Sequence, residues 1–332
     1  FRFLDDKVSL SLTYYDNIIE GILLNVALSP SSGYSTQYGN YGEMTNKGME
    51  IDLGLDLIDT AEFGLSTGIN WSTNENEVTD LFGTESINLS PGASVSSRAV
   101  VGYPLGSLYG TGSQTNPDGS FILNSNGFPQ ITSSPIVLGD PNPDWRGGIS
   151  LSMRYKKFRL NAVLEHSEGG DFSPRTLWVL NRFGTTQETA NRLTLDQSLV
   201  NYRGNTIPAG TTVRGNVRDF GGGPVLLDEN WYRTGIGGGF GDNQAYNFSI
   251  ADATFTKLRD LSLSYVIDTP LVTNIGLSDV IVSVTGRDLI NINNVEGIDP
   301  EINTKGVSVA QGVEYFTNPQ TKGFLFSLTI NY

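Results

Sequence analysis

The sequence contains no cysteine. Disulfides, a thiolate nucleophile and zinc–thiolate sites are thereby excluded, and the redox compartment stays open. Histidine occurs once, at His166. An imidazole can act as base or metal ligand, but a lone ring at a strand end, ahead of Gly169 and Gly170 and without candidate partners, reads as a rim residue. Charge is sparse at 17% of residues, low for a soluble surface. Positive charge is sparser still: 21 basic residues face 35 acidic ones, a formal net charge of −14. Nucleic-acid binding needs a basic footprint, so no nucleic-acid partner is expected. No run approaches the roughly 18 apolar residues that a transmembrane helix requires, and mean hydropathy is −0.17. Neither observation excludes a membrane barrel, whose strands interleave lipid-facing apolar residues with polar lumen-facing ones. The N-terminal stretch "FRFLDDKVSL" carries no signal peptide. It begins as if inside an element, and the chain is expected to be a fragment.

What the sequence does have is glycine (39 residues), aromatics (10%) and persistent alternation. Val8–Tyr14, Met49–Leu57, Phe63–Trp71, Ile149–Tyr155, Phe158–Leu164, Leu261–Ile267, Val280–Val284 and the terminal Phe324–Tyr332 place apolar residues at every second position, Thr67 excepted. That period is the signature of half-buried strands. Ile281 is a further exception, apolar on the polar side. The intervening segments alternate in length. Ile58–Ala61, Tyr155–Phe158 and Asp268–Ile275 are short, whereas about Asn25–Glu43, Val78–Asp144, Gly169–Ala245 and Asn291–Gln320 are long. Short turns on one side and long loops on the other are the habit of outer-membrane barrels; a soluble sandwich scatters its loop lengths more evenly. Tyr14, Trp71, Trp145, Tyr155, Phe158, Tyr265 and Tyr332 stand at strand ends, where interfacial girdles are built. The fold class expected is all-β, a transmembrane antiparallel β-barrel. Glu50, Asp52, Asp56, Arg154, Lys156, Arg159, Asn161, Glu165 and Asp260 would face its interior. Long charged residues suit a wide wet lumen, so the eight strands are expected to form an arc of something larger, with the strand near Val8 pairing outward. An autonomous eight-stranded structural or adhesive barrel is the alternative.

Five segments sharpen this reading. "NYGEMTNKGMEIDL" (Asn40–Leu53), "VGYPLGSLYG" (Val101–Gly110), "LGDPNPDWRGGISLSMRYKKFRL" (Leu138–Leu160), "ADATFTKLRDLSLSYVI" (Ala251–Ile267) and "GRDLININNVEGIDPEIN" (Gly286–Asn303) resemble, in order, motifs of the SusC/RagA-type TonB-dependent outer-membrane transporters. In the last, Asp288 stands where that family's pattern has Asn. The resemblance covers almost the whole chain. It implies about the last eight strands of a 22-stranded barrel, a size class that carries a plugged lumen. The plug and TonB box are not in this chain. It further implies import of a glycan or oligopeptide, with a SusD-like surface lipoprotein as lid and TonB–ExbB–ExbD as energy source through the missing N-terminal part. The expected place is the outer membrane of a Gram-negative, Bacteroidota-type bacterium, in contact with lipid and lipopolysaccharide. The terminal strand, with Phe324, Phe326, Leu328, Ile330 and Tyr332 on one face, resembles the signal read by the barrel assembly machinery.

No catalytic constellation appears, and an enzyme is not expected. "GIGGGFG" (Gly235–Gly241) fits no phosphate-loop pattern and reads as a mobile loop. Asp140, Asp144, Asp299 and Glu301 are carboxylates beside prolines in long loops. Calcium takes several oxygen ligands and could use them, but the spacing does not match an EF-hand and turn-forming Asp-Pro is the preferred role; no other metal and no cofactor is expected. "DTA" (Asp59–Ala61) resembles a bacterial O-glycosylation signal on a short turn. Tyr34, Tyr38, Tyr41, Trp178, Phe183, Trp231 and Tyr232 are loop aromatics that would either contact substrate or lid, or pack the loops internally.

Overall fold

The computed structural model describes residues 1–90, 94–234, 244–295, 297–304 and 311–332. One large antiparallel sheet holds nine strands: β1 (Arg2–Phe3), β2 (Val8–Glu20), β3 (Glu43–Asp59), β4 (Phe63–Asp80), β5 (Trp145–Tyr155), β6 (Phe158–Glu168), β7 (Phe255–Ile267), β8 (Asp279–Asn293) and β9 (Gly323–Asn331). They lie in chain order, each beside its sequence neighbour. The eight long strands are the eight expected from alternation, each extended at one end or both, except that β9 stops at Asn331, one residue short of the expected Tyr332.

Register sorts the two faces. Leu10, Leu53, Ile69, Ile149, Leu164, Leu258 and Ile290 pair in one continuous row across seven strands. One position along lies the row Ser11, Asp52, Asn70, Gly148, Glu165, Lys257 and Asn291. A pleat sends neighbouring residues to opposite faces, so one face is hydrocarbon and the other is polar. The predicted lumen residues Asp52, Glu165 and Asp260 lie on the polar face. Ile281 joins it too, opposite Thr329 and Val266.

The sheet carries the stagger of a barrel wall. Phe63, Tyr155, Phe158, Tyr265, Val282 and Leu328 form one row. Val8, which starts β2, pairs through Leu55 with Thr67, four positions above Phe63, while Asn331 on β9 is three positions below Leu328. The lower margin therefore slips about one residue per strand. With a rise of about 3.3 Å per residue and a spacing of about 4.8 Å, that slip corresponds to a tilt of about 35°, within the range of membrane barrels. The apolar face of β4 runs from Phe63 to Trp71, about 27 Å along the strand and roughly 20 Å along the barrel axis at that tilt, near the height of a hydrocarbon band.

Aromatics bound the band. Phe63 meets Tyr155 edge-on at 6.5 Å and Phe158 meets Tyr265 at 4.7 Å, so a row of rings runs along the short-turn margin. At the other margin Trp145 packs on His166 at 4.8 Å. Tyr332 follows the last paired residue, Asn331, and its ring is fully exposed.

Closure within this chain is not seen. β9 pairs with β8 alone, and β2 pairs with β3 and the two residues of β1. Val8–Tyr14 is therefore not joined to Phe324–Asn331, and the closed eight-stranded alternative is not realised. The outer edge of β2 near Val8 is met by the chain's own Arg2 and Phe3. The chain reverses there through Leu4, Asp5 and Asp6, all at positive φ. Beyond Leu10 that edge has no partner strand among the described residues.

The short connections all fall at one end of the sheet and the long ones at the other. The long connections span 21–42, 81–144, 169–254 and 294–322. The first holds a hairpin, Leu23–Ala27 against Thr36–Asn40, and the third runs further than alternation alone suggests.

Candidate functional site

The long connections pack against one another. Phe121, Leu123 and Phe128 of the second connection pack with Phe220, Val225, Trp231 and Phe248 of the third. Phe128 and Trp231 lie 5.6 Å apart, and Phe220 and Trp231 5.5 Å. The Tyr246 N–H donates to the Thr111 carbonyl at 2.8 Å. The first connection adds Leu24 to Val78, Leu81, Ile87 and Ala99. Val313–Glu314 of the fourth lies parallel to Ser173–Pro174 of the third.

Several of the recognised motifs build this architecture. Gly48 lies under Tyr15: a Cβ there would come within 2.3 Å of both the Tyr15 hydroxyl and the Thr73 carbonyl. Tyr15 instead crosses the glycine and donates to Asn74 at 2.9 Å. In "VGYPLG" the Gly102 N–H donates to the Val78 carbonyl and the Leu105 N–H to the Asn76 side chain, folding the loop onto the end of β4. Gly102 and Gly106 both take positive φ in that turn, where other residues would be strained.

The densest charge on the polar face joins two motifs that are 42 residues apart in sequence. Lys257, only 1% exposed, donates to both Asp299 oxygens at 2.8 and 2.7 Å and to Glu301 at 2.7 Å. Arg259 grips Glu301 through two nitrogens at 2.8 and 2.5 Å and Glu165 through Nε at 2.6 Å. Asn291 completes Asp299 at 3.1 Å. The Phe255 ring lies 4.8 Å from the Lys257 ammonium and 5.7 Å from the Arg259 guanidinium. Burial pushes the Glu301 carboxyl up, but the hydrogen bonds from Arg259 and Lys257 outweigh it and hold it at about 2. The "GIDPEIN" segment is thus pinned across the polar wall. Beside it lies a recess lined by Arg146, Glu165, Phe255, Glu301, Asn303 and Gln311.

Period-two counting missed Lys257 and Arg259. A bulge between Leu258 and Asp260 is the reason. Arg259 is one residue opposite two, Asp288 and Leu289, so the face inverts and apolar positions fall at 258 and 261. Asp288 sits at φ 50° in that bulge. Asp and Asn both tolerate this conformation, which explains how Asp fills a position where the pattern has Asn. The detectable signal was the break of alternation in "TKLRDL".

The carboxylates considered for calcium separate into two pairs. Asp299 and Glu301 give their oxygens to Lys257 and Arg259. Asp140 accepts from the Asn142 backbone and side chain, and its own N–H donates to Asp171 at 2.8 Å. Burial raises the Asp140 and Asp171 carboxyls; the Asp144 charge adds to both, and Asp140 and Asp252 add to Asp171. Among the described residues no three metal-binding side chains form a cation site. His166 bonds Thr256 at 2.8 Å and Glu168 at 2.9 Å. Thr60 of "DTA" is exposed, but its hydroxyl closes the turn with the Phe63 backbone, and Arg154 holds the carbonyls of Thr60 and Ala61. Trp231 and Tyr232 are 3% and 4% exposed and belong to the loops' core, so internal packing holds them. Phe183, Tyr34 and Tyr38 are exposed, Trp178 is half-buried and Tyr41 partly so. Gly235–Gly241 lies outside the described residues.

Known proteins match this arrangement. Residues 1–218 match the family described as TonB dependent receptor-like, beta-barrel. TonB-dependent receptor P3 of Formosa agariphila is 25% identical over 99% of this chain and 33% of its own length. TonB-dependent receptor P26 of the same organism is 24% identical over 98% of this chain and 33% of its own. The chain thus spans about a third of these relatives. The RagAB peptide transporter structure shares the fold, with a TM-score of 0.65 at 18% identity over 99% of this chain and 34% of that one. The RagAB peptide importer in its "open-open" state gives 0.62 at 17%. The chain belongs to the TonB-dependent receptor-like β-barrel family.

Proposed function

We propose that this chain is the C-terminal wall of an outer-membrane active-import channel, the barrel component of a SusCD-like system that takes up a glycan or oligopeptide and is energised through TonB. The observation that carries the reading is the chain-ordered, staggered sheet with an apolar outer band and all four long loops at one end. The family supports outer-membrane import, and the likeness to a peptide transporter favours an organic nutrient. In this reading the long loops are extracellular and carry the SusD-like lipoprotein and the substrate, since binding residues gather on loops held by a rigid scaffold. The apolar band meets lipid and lipopolysaccharide, and TonB–ExbB–ExbD engages the part that precedes this wall. The organism is of Bacteroidota type, as the Formosa relatives support. Terminal Phe324, Phe326, Leu328, Ile330 and Tyr332 address the strand to the assembly machinery.

The absence of native cysteine in this chain makes topology testable with single cysteines. In intact cells, Ser120→Cys in the second loop reacts with an impermeant maleimide, and Lys157→Cys in a short turn does not. Labelling of Lys157→Cys from outside inverts the barrel and refutes the reading. Loss of growth on the cognate oligomer when the gene is deleted or TonB is disabled tests import itself.

A further inference from the structure

The charge of Arg175 is not used by the structure around it. Arg175 opens the helix α1 (Arg175–Phe183) in the third loop and is 8% exposed. Among the described residues no carboxylate comes within 4 Å of it. The nearby buried carboxylate, Glu314, is taken by the Thr176 N–H at 3.2 Å, the Thr176 hydroxyl at 2.6 Å and the Thr317 N–H at 3.0 Å. An arginine cannot shed its proton; its guanidinium nitrogens reach the surface, so the cation is open to solvent with no carboxylate answering it. The guanidinium is held in place by the Tyr315 ring, 4.6 Å from its centre. Trp178 follows three residues later, on the same face of α1. Its indole N–H is buried and donates to nothing, and the Ser173 and Thr317 hydroxyls beside these segments are also unpartnered. Two of these groups are donors only. A water can answer a hydroxyl, but it cannot neutralise the guanidinium.

We propose that Arg175 and Trp178 form a subsite for a carboxylate of the imported molecule, with the neighbouring exposed rings supporting its uncharged part; this rests on the import reading above. A carboxylate offers the planar pair of acceptors that a guanidinium matches best. Phe316 is 58% exposed at φ 50°, and its N–H donates to the Thr176 hydroxyl at 2.6 Å. Tyr315 and Phe316 meet at 4.8 Å as one aromatic ledge. Against a chain of net charge −14, a single cationic subsite selects where bulk electrostatics repels.

The test uses the full-length receptor, purified folded, and two probe pairs: pentaalanine with a free or an amidated C-terminus, and tetragalacturonate with its methyl ester. Calorimetry is expected to show at least a 10-fold preference for the acid in one pair, which identifies the source of the carboxylate. Arg175→Gln should reduce that preference to below 2-fold while leaving affinity for the neutral member unchanged, and Arg175→Lys should keep part of it. Heat-modifiable migration confirms that the variants are folded. Equal binding within both pairs, an undiminished preference in Arg175→Gln, or no binding of either acid overturns the subsite. TonB-dependent growth on the cognate oligomer, measured separately, would then still stand; its loss alone would sink the import reading.

Discussion

Replacing Lys257 by Met removes the centre of the charge network and should release the last loop without dissolving the barrel. Lys257 and Asp299 are 1% and 6% exposed as side chains, so their pairing is scarcely screened by water. Removing one partner of a buried pair costs about 3–5 kcal/mol, because the other charge is left stranded. Asp299 would keep only the Asn291 amide and the Glu301 N–H. The barrel strands keep their ladder, so the cost falls on docking of residues 297–304. The amides of Ile302 and Thr304, bonded to Asp299 and Val313 carbonyls, report that docking. Local opening governs their hydrogen exchange, and about 3–5 kcal/mol corresponds to roughly 10²- to 10⁴-fold faster exchange. Asp299→Asn combined with Lys257→Met strands no charge and should recover much of the protection. Native-like exchange at Ile302 and Thr304 in Lys257→Met would refute the pinning argument, as would a double variant worse than the sum of the singles.

Leu263→Arg puts a charge in the apolar band and should cost about 2–4 kcal/mol, cutting assembled barrel in outer-membrane fractions, whereas Ser264→Arg faces the lumen and should assemble; equal losses would overturn the face assignment. Gly48→Ala forces a Cβ against Tyr15 and the Thr73 carbonyl and should destabilise by about 1–3 kcal/mol in a denaturant titration, with Tyr15→Ala restoring only part, since the backbone clash remains. Glu301 is held at about 2, below its ordinary value. Its stabilisation is therefore present above the unfolded value and lost as pH falls through the folded one, so loop protection should persist at pH 4 and vanish toward pH 2. Deleting Asn331–Tyr332, or Tyr332→Asp, should lower the amount of assembled barrel, while Tyr332→Phe should be nearly silent; normal levels of the deletion variant would remove the assembly-signal role.

The alternation of Phe63–Trp71 or Ile149–Tyr155 was enough to find the strands, because a pleat imposes period two and a wall between lipid and water rewards it at every residue. Alternating loop lengths likewise told which ends of the strands belong together, since a hairpin turn cannot be long and a mouth loop is free to be. The same counting failed at Arg259. One extra residue inverts a face, and a bulge is decided by both strands, with Asp288 supplying the left-handed residue opposite. Nor could sequence separate the aromatics: Trp231 and Phe183 are equally apolar on paper. Whether each is buried depended on Phe128 and Phe220 arriving from distant loops. The pairing of Lys257 with Asp299, and the isolation of Arg175 beside an already satisfied Glu314, were likewise settled by tertiary structure alone. Charge partners are chosen by distance in space, and a strand's local period carries no information about which loop will fold back across it.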